Sequence, residues 1–287
     1  MRSPLFLILL ALSSVACSPS DGSGAESPPT GDSAGAADTA PGRTGDSDES
    51  TTAGFDGDTG AFDFEENVDG PQGAVRTFRY AWPAAVSAER QLAGTLDRER
   101  RDILAQEKIE WEAALEGAPD GCVSCSNRSF EKEWKVVADI PGWLSLSADI
   151  STYTGGAHGN YTRQSLVWDR AAQESMPGLA LFRSPVTLEN ALGARLCDAL
   201  DRAREARRGA PVNREEGDSF NACPSLDEAS VMIGSSTGEH FDRIGIYFGP
   251  YVAGSYAEGP YELNFPVTAS VLDAVKPEFA GAFRVKR

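Results

Sequence analysis

The sequence predicts an α+β fold with a mainly antiparallel sheet and two principal helices. Three observations carry this. Segments of period-two hydrophobicity occur in runs, two long segments of period near 3.6 interrupt them, and Gly, Pro, Asn and Asp clusters separate the short apolar stretches. A doubly wound parallel sheet would need regular strand–helix alternation, which is absent, and there is no internal repeat of fixed period.

Taken in order, Phe78–Trp82 is a short strand ended by Pro83, and a long helix runs from Ser87 to Leu115. Leu92, Leu96, Ile103, Trp111 and Leu115 fall near one face of it, and Gly117 and Pro119 stop it. From Phe130 the period changes: Trp134–Ile140 is a strand, and Leu144, Leu146, Ala148 and Ile150 then alternate with Ser145, Ser147, Asp149 and Ser151. One face of that strand is buried and the other is wet. Tyr161–Trp168 alternates again, so a hairpin with the six-residue loop Gly155–Asn160 joins the two. A second helix runs from Thr187 to about Arg208, with Leu188, Leu192, Leu196 and Leu200 on one face and the Arg/Glu load on the outer one. Three further strands, Ser230–Ile233, Arg243–Phe248 and Tyr261–Val267, precede a short helix Ser270–Val275.

The charge is uneven. Lys plus Arg number 26 against 43 Asp plus Glu, a net charge of −17, which disfavours a nucleic-acid partner. Residues 18–70 hold 13 acids and one base, Arg43, and residues 18–60 are nearly all Ser, Gly, Asp, Ala, Thr and Pro, with Phe55 the one large apolar side chain. Such a segment cannot bury enough surface to offset its ordering entropy, so it reads as a solvated tether. As a flexible coil it would reach roughly 40 Å. The chain therefore divides into a signal segment, 1–16, a lipidated Cys17 with its acidic tether, 17–70, an N-terminal half, 71–175, and a C-terminal half, 176–287.

The signal assignment rests on Arg2, the apolar run Leu5–Leu12 and the small residues Ser13, Ser14, Val15 and Ala16, a stretch too short to span a bilayer. Cleavage before Cys17 resembles a bacterial lipoprotein, with the thiol carrying the lipid, although position 14 is Ser where such signals usually carry Leu. Ser18 after the lipid-bearing Cys implies, by lipoprotein sorting rules, a periplasmic protein anchored to the outer membrane. In that oxidising compartment the even set Cys122, Cys125, Cys197 and Cys223 implies two disulfides. Three pairings exist on paper; Cys122 with Cys125 and Cys197 with Cys223 need least rearrangement. A thioredoxin-like Cys-x-x-Cys opens a helix after a strand, whereas this one precedes a strand, and a four-Cys zinc site would not set its second pair 26 residues apart.

Two stretches are dense in information. Tyr153, Thr154, Gly155, Gly156, Ala157, His158, Gly159 and Asn160 combine glycines that permit positive φ with polar side chains able to bond loop amides. Read structurally, His158 locks the loop; read functionally, the loop presents Tyr153 and His158 to a ligand. The structural reading is the stronger from sequence, because no second polar group has the spacing of a dedicated site. Phe248–Gly259 carries Tyr251 and Tyr256 among Gly and Pro after a strand, which suits either a packed loop or a binding rim. Gly234–Gly238 matches the Gly-x-Ser-x-Gly pattern around Ser236, but strand follows strand there, so a hairpin turn is expected rather than a nucleophile elbow. His158 and His240 are the only histidines and neither has metal-ligand spacing, so no metal and no cofactor is expected.

Together the two stretches resemble the extracytoplasmic domain of the RsiV family of anti-sigma factors, found also as the N-terminal module of the peptidoglycan deacetylase PdaC. The match runs from about Thr77 to Phe283: the Tyr80, Trp82, Pro83 opening, the Tyr-Thr-Gly-Gly-Ala-His-Gly-Asn hairpin, a linking helix, then Phe248, Gly249, Pro250, Tyr251 and Tyr256, Ala257, Gly259. The resemblance implies two intertwined halves of unknown function and a non-catalytic role, with lysozyme binding in RsiV. Neither a sigma-binding segment nor a deacetylase domain is expected in this sequence, so the resemblance does not imply an anti-sigma factor or a deacetylase. The expectation is a non-enzymatic, lipid-anchored binding protein for a cell-wall glycan or a wall-cleaving enzyme such as lysozyme; a hydrolase using Ser236 or His158 is the alternative.

Overall fold

The computed structural model describes residues 49–55, 60–217 and 219–286, all within one compact unit, Gly45–Arg287. The signal segment, Cys17 and most of the tether lie outside the described residues. The end of the expected tether does not: Glu49–Phe55 (β1) and Phe62–Asp69 (β2) pair antiparallel. This corrects the expectation of solvated coil up to Gly70. Along β2 the buried Phe62, Phe64, Glu66 and Val68 alternate with exposed Asp63, Glu65, Asn67 and Asp69, a strand pattern hidden beneath an acidic composition. Glu66 turns inward because Arg76, at 2.5 Å, and Lys108, at 3.0 Å, meet it there. Burial pushes its carboxyl up, but the bonds from Arg76 and Lys108 prevail and leave it below the ordinary range.

β1 and β2 are followed by β3 (Val75–Trp82), the short helix α1 (Ala84–Ser87) and the long helix α2 (Arg90–Gly117). Then come α3 (Val123–Ser126), β4 (Arg128–Ile140), β5 (Trp143–Tyr153), β6 (Asn160–Asp169) and the short β7 (Glu174–Met176). The seven strands lie in chain order in one sheet. Neighbours are antiparallel except β3 and β4, which are parallel and therefore need the crossover that α2 supplies. Leu92 and Leu96 of α2 are buried against Phe64, Phe78, Tyr80 and Trp134 on one face of this sheet. Lys132 sits inside that core, 3% exposed, 4.7 Å from the Trp134 ring, paired with Glu99 of α2 and donating to Gln164 Oε1 at 2.7 Å.

A register shift between Val136 and Ala138 decides what covers the other face. A bulge inserts one residue, so the side chains beyond it exchange faces. Ala138 and Ile140, with Val167 of β6, thereby join the core of the C-terminal half. That half contains α4 (Pro185–Leu192), α5 (Ala194–Arg208), β8 (Ala229–Gly234), β9 (Arg243–Phe248), β10 (Tyr261–Pro266) and α6 (Ala269–Ala274). Its three strands form a second antiparallel sheet, ordered β10, β9, β8. The single helix expected over Thr187–Arg208 is two, because Gly193 breaks it with φ +57° and ψ −147°. Ser184 caps α4, its hydroxyl accepting from the Thr187 amide at 3.1 Å. The halves touch closely where a Cβ on Gly178 would fall 2.0 Å from the Val231 carbonyl oxygen, so only glycine fits between β7 and β8. Both expected disulfides are formed, Cys122 with Cys125 on α3 and Cys197 of α5 with Cys223, 26 residues on. Closing that second loop contributes roughly 3 kcal/mol in the chain-entropy account.

Candidate functional site

β5 and β6 pair as far as Thr152 and Asn160, leaving the glycine-rich stretch as the turn. Gly155 and Gly156 hold φ of +92° and +98°, a region that favours glycine, and a Cβ on Gly155 would stand 3.3 Å from the carbonyl oxygens of Ser124 and Cys125. The lock on this loop is Tyr153, whose hydroxyl can donate to Gly156 O at 2.8 Å or to Ser124 O at 3.3 Å. His158 bonds within the same loop. It is exposed, its Nδ1 lies 2.9 Å from the carbonyl of its own neighbour Gly159, and its ring stacks on Tyr256 at 3.9 Å and 21°. Asn160, also exposed, opens β6 opposite Thr152.

Tyr256 comes from the second dense stretch, the loop after β9. Its hydroxyl donates to Gly159 O at 2.8 Å, across 97 residues of sequence. Tyr161 meets its ring edge-on at 5.7 Å, and Tyr251 lies tilted against it at the same distance. Tyr251 is 53% exposed with φ +67°, a conformation that non-glycine residues rarely adopt, and its hydroxyl stands 3.5 Å from His158 Nε2. The two stretches thus meet as one cluster, with His158 and Tyr251 exposed and Tyr161 and Tyr256 half-buried.

What holds the second loop in place was missed from sequence. Arg204 was expected on the outer face of its helix and is fully buried instead. Its guanidinium donates to the carbonyls of Ala253 at 2.9 Å, Ala222 at 2.8 Å and Asn221 at 3.2 Å, and pairs with Asp201 at 3.1 Å. The signal was present: Arg204 stands four residues beyond Leu200, which itself follows Leu196 by four, so it continues the leucine stripe. Arg207 donates to Glu258 O at 2.7 Å, and Arg208 bonds Glu258 Oε2 at 2.8 Å and Asn221 Oδ1 at 2.6 Å. Glu258 also accepts from the Tyr261 hydroxyl at 2.5 Å and completes a capping box with Ser255.

Burial raises the Glu258 pKa, but the bonds from Tyr261, Arg208 and the Ser255 amide outweigh it and hold the carboxyl at about 2. A carboxyl depressed on folding stabilises the protein above its unfolded pKa and loses that contribution as pH falls through the folded one. Glu66 and Glu258 are both lowered, so stability is expected to decline from about pH 4.5 toward pH 2. Urea melts across that interval check it: Glu258→Gln should flatten the decline, and an unchanged slope would show that Glu258 is not a source of it.

The remaining candidates lie elsewhere. The Ser236 hydroxyl donates to the buried Asp242, whose other oxygen accepts the Ser236 amide at 2.8 Å, which locks a turn between β8 and β9. That is the hairpin turn expected there, and neither histidine hydrogen-bonds Ser236. Among the described residues no group of three or more His, Cys, Asp or Glu is placed to hold a metal ion. No helix among them is long and apolar enough to cross a membrane. Beside the aromatic cluster, Arg163 bridges Asp149 at 2.7 Å and Glu262 at 2.8 Å beneath a groove of about 320 Å³ that Tyr161 and Tyr247 also line.

No curated protein matches the chain. Solved structures align with it, among them two of the DUF3298 family. A member of the DUF3298 family from Bacteroides fragilis is 16% identical with a TM-score of 0.46, over 83% of this chain and 98% of that one. A DUF3298 family protein from Pseudomonas aeruginosa is 17% identical with a TM-score of 0.42, over 85% of this chain and 99% of that one. Residues 77–161 match the family model described as Deacetylase PdaC, a span that opens in β3, takes in α2 and ends at Tyr161 beyond the glycine-rich turn. The part of the chain that carries the Tyr153–Asn160 motif is thus similar to the PdaC family model, in line with the resemblance.

Proposed function

We propose that the chain is a non-enzymatic binding protein of the bacterial envelope, held at the outer membrane by lipid on Cys17, and that its ligand is cell-wall glycan. The observation that carries this reading is the convergence of two distant stretches into the cluster of His158, Tyr161, Tyr251 and Tyr256. The exposed His158 and Tyr251, packed against the half-buried Tyr256 that Gly159 O holds, offer aromatic surface with polar tips, which suits sugar rings. A buried arginine clamp beneath such rings lowers the ordering cost of binding. Ser236 is spent on Asp242, which leaves the hydrolase alternative without a histidine-activated nucleophile there. The net charge of −17 favours a second reading, a basic wall-cleaving enzyme such as lysozyme as partner.

Co-sedimentation with purified peptidoglycan sacculi tests the first reading. Tyr251→Ala and Tyr256→Ala are each expected to weaken retention by about tenfold or more. His158→Ala should do the same while costing less than about 1 kcal/mol of stability, since Gly159 O keeps the Tyr256 hydroxyl as its donor. Retention unchanged in all three variants would remove the cluster from the ligand site. For the anchor, intact mass of the envelope-purified protein should carry lipid on Cys17, and Cys17→Ser should release the protein from membranes. An unmodified Cys17 would refute the anchor.

A further inference from the structure

The Cys122–Cys125 bridge lies directly behind the turn that carries His158. It ties down α3, a helix of four residues between the end of α2 and the start of β4. A single turn makes too few backbone bonds to hold itself in water, and α3 buries little that would hold it: Val123 is 40% exposed, Ser124 is exposed and Ser126 alone is buried. Just beyond it, Asn127 Oδ1 accepts the Val75 amide at 2.9 Å and fixes the exit to the edge of β3. The covalent bridge therefore sets the shape of the turn itself.

That shape is what the glycine-rich turn rests on. The Ser124 and Cys125 carbonyl oxygens both stand 3.3 Å from where a Cβ on Gly155 would lie. Arg128 Nη1 donates to Cys125 O at 3.0 Å and comes within 3.3 Å of the same point, and the Tyr153 hydroxyl lies 3.3 Å from Ser124 O. The turn in its place brings His158 onto the Tyr256 ring. Contacts thus run without a gap from the two sulfurs to the aromatic cluster, with the bridge, closed or open, as their two-state element. The bridge is also within reach of a reagent. Cys122 lines a concavity of about 190 Å³ with Pro71, Pro119, Asp120 and Val123, whereas Cys223 of the other bridge packs against the apolar core of the C-terminal half.

We propose that the Cys122–Cys125 bridge is a redox control on the aromatic site, opened by a dithiol reductant and closed by the reverse exchange with a disulfide; the proposal rests on the glycan reading above and adds the regulation of its site. A thiolate of the reductant attacks Cys122 Sγ, the S–S bond breaks, and Cys125 leaves as a thiolate that takes up a proton. The reductant's second thiol then attacks the reductant sulfur of the mixed disulfide, Cys122 leaves in the same way, and the reductant departs as a disulfide. Two electrons and two protons have passed to the protein. With a sequence separation of 3 against 26, this bridge constrains the unfolded chain less than Cys197–Cys223 does. Its opening therefore loosens α3 and the turn while both cores stand.

Hydrogen exchange and sacculus retention of the full chain test the proposal. A dithiothreitol titration read by peptide mapping is expected to open Cys122–Cys125 at roughly tenfold lower concentration than Cys197–Cys223. In Cys122→Ser with Cys125→Ser, the amides of 153–160 should exchange about tenfold faster or more while those of β8 and β9 hold, and retention on sacculi should fall by about tenfold. Wild type held at the dithiothreitol concentration that opens only the first bridge should behave as the double variant does, which decides the matter where the variant fails to fold. Exchange at 153–160 that ignores the bridge, a Cys197–Cys223 bridge that opens first, or retention that stays constant while exchange rises would each overturn the proposal and leave the glycan reading intact. Bridged wild type that is not retained on sacculi would refute the glycan reading, and the exchange of 153–160, which involves no ligand, would still decide whether the bridge controls the turn.

Discussion

Arg204→Ala is expected to lower stability by roughly 3–5 kcal/mol, the range for removing one partner from a buried charged network. The guanidinium is fully buried and serves three carbonyls and Asp201, so its loss strands the oxygens of Ala253, Asn221 and Ala222 where water reaches poorly. Burial also pulls the Arg204 pKa down, with Asp201 opposing that pull, which marks how far the group depends on its partners. Because Ala253 lies in the loop between Tyr251 and Tyr256, sacculus binding should fall together with stability. Arg204→Lys tests the fork geometry: a single ammonium cannot reach all four acceptors, so it should recover only part of the loss. Urea melts in which Arg204→Ala costs less than about 1 kcal/mol would show that the clamp does not hold this loop.

Glu99→Ala should have a comparable effect in the other half. Lys132 lies 3% exposed between the rings of Trp134 and Tyr80, and Glu99 is its one charged partner in the ion pairs of this core. Desolvation lowers the Lys132 pKa, and the bond and charge of Glu99 act against it. Without Glu99 the ammonium is left buried with Gln164 as its remaining acceptor, at a cost of roughly 3 kcal/mol or more. The double change Glu99→Leu with Lys132→Met should restore most of the stability, since an apolar pair of similar volume avoids desolvating either charge. A double variant no more stable than Glu99→Ala would mean that the pair contributes packing rather than charge compensation. The melting temperature of Glu99→Ala should fall by roughly 2–4 °C for each kcal/mol lost.

Local chemistry was enough to read much of this protein from its residues. Period-two alternation places β5 and β6, the 3.6 period places α2 and the leucine face of α4 and α5, and three glycines mark the turn between β5 and β6. Proximity in sequence likewise pointed to both disulfides. These features depend on neighbours within one element, which is why a single strand or helix of sequence contains them.

Tertiary structure decided the rest, because the energies involved lie between residues far apart in the chain. β2 stayed concealed since its inward Glu66 reads as a solvated acid until Arg76 and Lys108 are known to meet it. Arg204 reads as a surface cation until the loops at Asn221 and Ala253 supply carbonyls that repay its burial. Nothing near His158 in the sequence shows that Tyr256, from the other half, stacks on its ring. The bulge after Val136 lets β4 serve two cores and leaves the charged face of the sheet open, and no local pattern encodes that division. Sequence sets which groups are available to each face, whereas the cost of burying a charge or a polar ring is settled only by the partner that arrives from elsewhere in the fold.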